Sequence, residues 1–491
     1  LKTGKIVEGT ICYTGDITDP NETKYTLDYY VKKAKELESL GVHIFTIKDM
    51  AGLVKPYAAK KLISALKEEL NIPVNLHTHD STGNGVSTLL MASEAGLDIA
   101  DCAIGSMSSM TSNPCMNSLV EALKGTERDT GLNPDELTEL SQYYARIRPI
   151  YKQFESGMDA PNTEIYKYEI PGGQYSNLLA QVKEMGAAED FEEIKGLYKD
   201  ANQLLGNIVK VTPSSKVVGD FAIFMFKNGL TKENILEVGK DLSYPDSVVE
   251  YFEGMIGQPE GGFPEELQKI VLKDKKPIDV RPGSLLPDED FDYIAKGLKE
   301  NFYTENMEDP DILSQKTLSY ALYPKVYEDY CRHFEAYNDV TGLESHVYFY
   351  GLRKGEETTL KLDEGKYLII KFIDMTEPDE DGYRLLDFEV NGSIREIKVL
   401  DKNLEVKTDR RVKADKSNPA HLGSTIPGTV GKVLVNEGDE VAVNMPLMTV
   451  EAMKMETTVV STVNGKVDKI YVKEGEQVNQ EDLLISFEID E

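Results

Sequence analysis

Ile44-Phe45-Thr46-Ile47-Lys48-Asp49-Met50-Ala51-Gly52 is an apolar run that ends on a charged pair and a glycine. Its first four residues predict a buried strand. A lysine at the end of such a strand is costly unless it is paired or chemically changed. Lys48 is either ion-paired to Asp49 or part of a site.

Outward from this stretch the pattern alternates. Strand-like runs are predicted at residues 6–13, 42–47, 74–77 and 99–104. Amphipathic helices are predicted at 26–40, 56–70, 85–95 and 116–123. Strands followed by helices at intervals of about 30 residues imply a parallel sheet with crossover helices. A (β/α)₈ TIM-type barrel needs roughly 250 residues for eight such units. Four units here read as the second half of that barrel, with the first four strands outside this chain. An open four-unit sheet is the alternative.

Residues 126–345 read as a helical extension of the barrel part, 1–125. Pro134-Asp135-Glu136-Leu137 and Thr231-Lys232-Glu233-Asn234 are helix starts, and Gly172-Gly173, Thr212-Pro213 and Gly261-Gly262 are loops. Residues 346–404 form a small β-rich domain, with strands at 347–350, 367–374, 383–390 and 393–399 and a hairpin at Asn391-Gly392. A charged, proline-containing linker follows at 405–419.

Residues 420–491 contain a repeat. A shift of 37 residues lays 428–451 on 465–488: Gly428, Val430, Lys432, Val435, Glu437 and Gly438 meet Gly465, Val467, Lys469, Val472, Glu474 and Gly475. Short strands between glycine turns predict a flattened β-barrel of two similar halves. Between the halves lies Ala452-Met453-Lys454-Met455, the expected place of a hairpin tip.

His77-Thr78-His79-Asp80 follows an apolar strand. Positions i and i+2 face one side, so both imidazoles can reach one metal. Alone, His-x-His is a weak signal.

Composition excludes some partners. The chain has 85 acidic and 54 basic residues and a net charge of −31, which repels nucleic-acid phosphates. Its four cysteines are dispersed and form no CxxC pair, which suits a reducing, cytoplasmic setting. No long uncharged apolar run predicts a membrane span. A chain of 491 residues is too long for one core, so several domains are expected.

Ala452-Met453-Lys454-Met455 resembles the biotinyl domain of the biotin-dependent carboxylases. The flanking methionines separate it from lipoyl domains. The resemblance implies an amide between Lys454 and biotin, attached by a biotin protein ligase. Gly9-Thr10-Ile11-Cys12-Tyr13-Thr14-Gly15-Asp16, Ile47-Lys48-Asp49-Met50-Ala51-Gly52-Leu53, His77-Thr78-His79-Asp80 and Val211-Thr212-Pro213-Ser214-Ser215-Lys216-Val217-Val218-Gly219-Asp220 occur in this order. They are similar to the carboxyltransferase domain of the pyruvate carboxylase family, from about Lys5 to the C-terminus. Residues 346–404 resemble that family's tetramerisation, or allosteric, domain, and 420–491 its biotin carboxyl carrier domain.

The resemblance implies a set of roles. Lys48, as N6-carboxylysine, would join His77 and His79 in holding Mn²⁺ or Zn²⁺. Thr212 would shuttle a proton between pyruvate and biotin. Gln174, Ser215 and Lys216 would line the biotin pocket. The reaction would be carboxyl transfer from carboxybiotin to pyruvate, giving oxaloacetate, within an ATP-dependent ligase. A homotetramer is implied, with acetyl-CoA activation in many members and cyclic di-AMP inhibition in some bacterial ones.

Two parts of the family pattern are missing. An Arg-Asp-Ala-His-Gln segment, whose Asp is a metal ligand in the family, does not occur. Neither does the ATP-grasp biotin carboxylase domain that uses ATP, Mg²⁺ and bicarbonate. The expectation is therefore a portion of a longer enzyme with an incomplete metal site. Two alternatives are the α subunit of oxaloacetate decarboxylase, which runs the reverse chemistry, and a biotinylated carrier or scaffold without catalysis.

Overall fold

The computed structural model describes residues 1–155, 157–302, 306–379, 381–401, 412–415, 418–452 and 455–489. Two compact units divide it: Leu1–Pro282 with Arg411–Glu491, and Gly283–Arg410.

The first unit opens with β1 (Glu8–Cys12), α1 (Leu27–Ser39), β2 (Ile44–Asp49), α2 (Pro56–Glu69), β3 (Val74–Thr78), α3 (Gly85–Glu94), β4 (Ile99–Ala100) and α4 (Met116–Leu123). The strands pair in parallel in sequence order, as strand–helix alternation requires. Thr26 starts α1 by accepting the Tyr29 amide on its hydroxyl. Pro56 stands at the first position of α2, where no amide is needed. Phe45, Ile47, Val74 and Leu76 from the sheet share a core with Leu62, Ile63 and Leu66 of α2. These seven fully buried aliphatic and aromatic side chains contribute on the order of 10 kcal/mol before chain entropy is subtracted.

β4 is shorter than the sequence predicts. Beyond Ala100 the chain leaves the sheet and pairs with a returning loop: the Ala103 amide donates to Pro114, and the Met116 amide to Ala103. The Asp101 amide still reaches β3, on Leu76 O, while Ala103 satisfies its backbone on the segment that leads into α4.

A helical layer follows, with helices at Pro134–Ile147, Gly172–Glu184, Phe191–Leu204, Ser214–Lys227, Asp246–Glu253 and Glu265–Leu272. It has its own core, including Leu178, Ile194, Tyr198, Phe221, Met225 and Phe252. It is tied to the sheet by the Gly172 amide on Met50 O (3.3 Å) and the Tyr25 hydroxyl on Asn207 O (2.6 Å).

The rest of the first unit comprises β9 to β16; β5 to β8 belong to the second unit. β9 (His421–Gly423), β10 (Gly428–Val433), β11 (Glu440–Val441) and β12 (Pro446–Ala452) are followed by β13 (Met455–Val460), β14 (Gly465–Ile470), β15 (Gln477–Val478) and β16 (Leu483–Ile489). They form two four-stranded sheets, β13-β12-β10-β15 and β11-β14-β16-β9. The repeat is visible in the pairing. β10 pairs with β12 and β15, and β14 pairs with their counterparts β16 and β11. Each half therefore lends a two-residue strand to the other. Gly428 and Gly465 occupy matching places. A Cβ on Gly428 would lie 2.5 Å from Glu451 O, and one on Gly465 would strike Glu488 O.

The second unit holds helices at Phe291–Asn301, Pro310–Leu322, Pro324–Tyr337 and Ser345–Tyr350. An antiparallel sheet of β5 (Glu357–Asp363), β6 (Lys366–Met375), β7 (Tyr383–Val390) and β8 (Ser393–Leu400) completes it. Asn391 and Gly392 both take positive φ, at 47° and 80°, and close a two-residue hairpin between Val390 and Ser393. Two differences from the sequence reading arise here. Val347–Tyr350, expected as a strand, is helical: the Tyr348 amide donates to Glu344 O, and Gly351 at φ 70° ends the turn. A short aromatic run fits either element, and the local hydrogen bonds decide it. The compact unit also begins at Gly283, so it takes in helices assigned above to the 126–345 extension.

Candidate functional site

The strand register builds the first part of the site. Cys12 pairs with Lys48 on β2, and Lys48 pairs with His77 on β3. Three side chains thus stand at one level near the C-terminal ends of parallel strands, and His79 follows one pleat further on. All four are half-buried.

Both histidines are oriented through Nδ1. His77 Nδ1 lies 2.8 Å from Asp101 Oδ2, and His79 Nδ1 lies 2.6 Å from Thr111 O. A carboxylate and a carbonyl only accept, so each Nδ1–H donates. In the neutral rings Nε2 keeps its lone pair, the form that binds a metal. Burial holds the His79 imidazole below its ordinary pKa, with Thr111 O opposing and the neighbouring His77 imidazole reinforcing the shift. The ring centroids are 5.5 Å apart.

Lys48 is not bound to Asp49, which corrects the simpler reading of that pair. Asp49 is fully buried and accepts from the Ala51, Leu53 and Val54 amides and the Thr78 hydroxyl. Its carboxylate is consumed in folding the loop after β2. Among the described residues Lys48 makes no ion pair. Its charge draws down the Cys12 thiol, which burial pushes up more strongly. Asp80 likewise serves a helix, accepting the Gly85 amide at the start of α3.

His77 and His79 fit two positions of a metal site by donor chemistry and by their anchored Nδ1 atoms. Among the described residues no group of three His, Cys, Asp or Glu side chains gathers around a metal position. An ammonium cannot ligate, so Lys48 fits only as a carbamate, whose oxygens can.

The second part of the site lies in the helical layer. Gly172 begins its helix against Ser81 and Thr111, where a Cβ would come within 3.2 and 3.3 Å of them. This places the buried Gln174 two residues beyond the docking point. Gly219 faces Gln174 so closely that a Cβ would strike its amide nitrogen. Ser214 knots the preceding loop, its hydroxyl 2.6 Å from both Val209 O and Val211 O and 3.1 Å from the Val211 amide. Thr212 is exposed on that loop, Ser215 is buried, and Lys216 is exposed on the first turn of Ser214–Lys227. Lys210, just before them, is buried and paired with Glu169 at 2.7 Å. No described hydrogen bond joins Thr212 to the histidines; the link runs through Gln174 and Gly172.

The repeat domain sits against this same helix. A cavity of about 690 Å³ separates them, with Lys216, Asp220 and Phe224 on one wall and Ile426, Thr457 and Thr458 on the other. Asn444 donates to Asp241 O at 3.4 Å, and Met185 packs on the repeat domain's core. β12 and β13 pair as far as Ala452 with Met455. Met453 and Lys454 lie outside the described residues.

Sequence reasoning missed Asp101, Thr111 and Asp220. Asp101 lies within the predicted run 99–104 at an ordinary-looking Ile-Ala-Asp, Thr111 acts through its carbonyl, and Asp220 closes the motif 211–220 without a role of its own. None carries a local signal.

A parallel β/α sheet thus carries an oriented histidine pair, and a repeated β-domain is seated beside a helix start. Three family models match: the HMGL-like domain at residues 16–143, the conserved carboxylase domain at 165–371 and the biotin-requiring enzyme domain at 419–487. Among curated proteins, the chain is 49% identical over 486 residues to pyruvate carboxylase of Bacillus subtilis and 46% to that of Staphylococcus aureus. Each match covers 99% of this chain and 42% of the relative. Among solved structures, the carboxyl transferase domain of Rhizobium etli pyruvate carboxylase with pyruvate and biocytin is 43% identical, at a TM-score of 0.76. That match covers 82% of this chain and 67% of that one. The complete R. etli enzyme matches at 40% identity and TM-score 0.76, over 99% of this chain and 44% of that one.

The chain belongs to the pyruvate carboxylase family and corresponds to its C-terminal portion. It spans about two fifths of the length of the curated relatives it matches. Among the described residues no helix is long and apolar enough to cross a membrane.

Proposed function

We propose that this chain performs biotin-dependent carboxyl transfer to pyruvate, giving oxaloacetate, as part of an ATP-dependent pyruvate carboxylase. The observation that carries the reading is the seat of the repeat domain, beside the helix that Thr212-Pro213 introduces. A carrier placed there has a short way to the pocket of Gln174, Ser215 and Lys216.

On this reading the four-stranded parallel sheet is half of a (β/α)₈ barrel, and Lys454 carries biotin at the tip of β12–β13. Biotin supplies a carried carboxyl group when bound. The Thr212 hydroxyl accepts the proton leaving the pyruvate methyl group and donates its own toward the ureido nitrogen, so it ends neutral. Lys216 brings positive charge to the ureido oxygen, and Ser215 and Gln174 add hydrogen-bonding groups within a buried wall. His77, His79 and Lys48 as its carbamate would hold Mn²⁺ or Zn²⁺. Such a metal supplies Lewis acidity toward the oxygen where charge develops. The carbamate forms when the Lys48 amine adds CO₂ and loses a proton. The β5–β8 sheet is the tetramerisation surface, and the expected setting is cytoplasmic. One relative, from R. etli, was solved with acetyl coenzyme A described as its allosteric activator.

The test uses the natural full-length polypeptide expressed with biotin protein ligase. Peptide mass spectrometry is expected to find biotin on Lys454, and the protein to form oxaloacetate from ATP, bicarbonate and pyruvate. Lys454→Arg is expected to lose both. Full activity with Lys454 unmodified would overturn the assignment.

A further inference from the structure

The cavity under the repeat domain contains polar atoms that the pocket assignment does not use. Asp220 is 8% exposed, and only one of its two oxygens is satisfied, by the Ser247 hydroxyl at 2.6 Å. Its Oδ1 has no partner; nor do Gln181 Oε1 and Tyr244 Oη on the same cavity. A buried carboxylate oxygen left open is expensive, and needs a reason. Asp220 is one helical turn beyond Lys216, so the two share a helix face. Lys216 lies on the same cavity wall.

We propose that Asp220 is a positioning residue for carboxyl transfer: its carboxylate, fixed by Ser247, holds the Lys216 ammonium toward the carrier rather than toward solvent. The inference rests on the carboxyl-transfer reading above. The wall opposite suits it, because the described carrier residues on the cavity, such as Thr425, Asn444, Thr457 and Thr458, are uncharged and leave the pair unscreened. The other charged groups facing the cavity are Lys227 on the same helix, Asp246 and Glu250 beside Ser247, and Glu184 on the helix Gly172–Glu184. Asp220 is thus the buried acid nearest in register to Lys216. Burial raises its pKa to about 6, against the pull of Ser247 and Lys216, so it is ionised at neutral pH and neutral in mild acid.

The experiment is a double-mutant cycle in the biotinylated full-length polypeptide, reading oxaloacetate formation across pH. Asp220→Asn and Lys216→Gln are each expected to lower transfer about tenfold, and the double variant to fall no further than the single ones. The wild type is expected to lose activity as pH falls through about 6, and Asp220→Asn to lack that limb. Asparagine keeps the shape and can still accept from Ser247, so a purely structural role would leave the pH profile unchanged in form. Additive losses, or an acid limb that survives in Asp220→Asn, would overturn the proposal. A wild type that transfers at no pH would remove the parent reading, and this inference with it.

Discussion

Lys48, His77 and Asp49 show how little a residue type settles by itself. Adjacent charges at 48 and 49 suggest an ion pair, yet the fold gives Asp49 to three backbone amides and leaves Lys48 in register with His77. That outcome was not legible in the sequence, because it depends on the loop geometry after β2. The histidine spacing was legible, since period two is a property of any strand. The groups that orient the rings were not, because Asp101 and Thr111 arrive from another strand and a distant loop. We expect His79→Ala to remove most bound Mn²⁺ or Zn²⁺ from the full-length protein by elemental analysis, and Asp101→Asn to lower metal affinity roughly 10- to 100-fold. Unchanged metal content in His79→Ala would refute the ligand assignment. Asp220 adds a stability prediction. Its pKa is raised on folding, so its contribution is fully present below the unfolded value and is lost as pH rises through about 6. Between about pH 4 and 7 the wild type should lose up to roughly 3 kcal/mol relative to Asp220→Asn, measured by urea unfolding.

Elements were easier to read than sites. Helix starts at Thr26 and Pro56 and the hairpin at Asn391-Gly392 follow from local chemistry, and each is found where expected. β4 and the turn of helix at Ser345–Tyr350 escaped. The first is cut short by pairing with residues 114–116, and the second is an aromatic run with no decisive period. The repeat is the clearest case, because the matched glycines have a steric cause. Gly428→Val is predicted to force a methyl-bearing carbon against Glu451 O and to destabilise the repeat domain by about 1–3 kcal/mol. Chemical denaturation followed by signals from that domain would measure it, and an unchanged midpoint would contradict the packing account.

At the scale of the whole molecule, family resemblance carried what local chemistry could not. Composition and periodicity indicate several domains, but only the ordered motifs linked the sheet, the helical layer and the repeat into one reaction. In the second unit β8 exposes Ile394, Ile397 and Leu400. If the sheet is the tetramerisation surface, Ile394→Lys should shift the full-length protein toward smaller species in light scattering, whereas an unchanged tetramer would place that surface elsewhere. The central claim is that Thr212 moves the proton during carboxyl transfer beside a carrier seated on its own helix. It is tested most directly by measuring oxaloacetate formation by Thr212→Ala in the biotinylated full-length polypeptide. The account predicts a loss of at least about 100-fold with biotin on Lys454 undiminished. Transfer at the wild-type rate would contradict it.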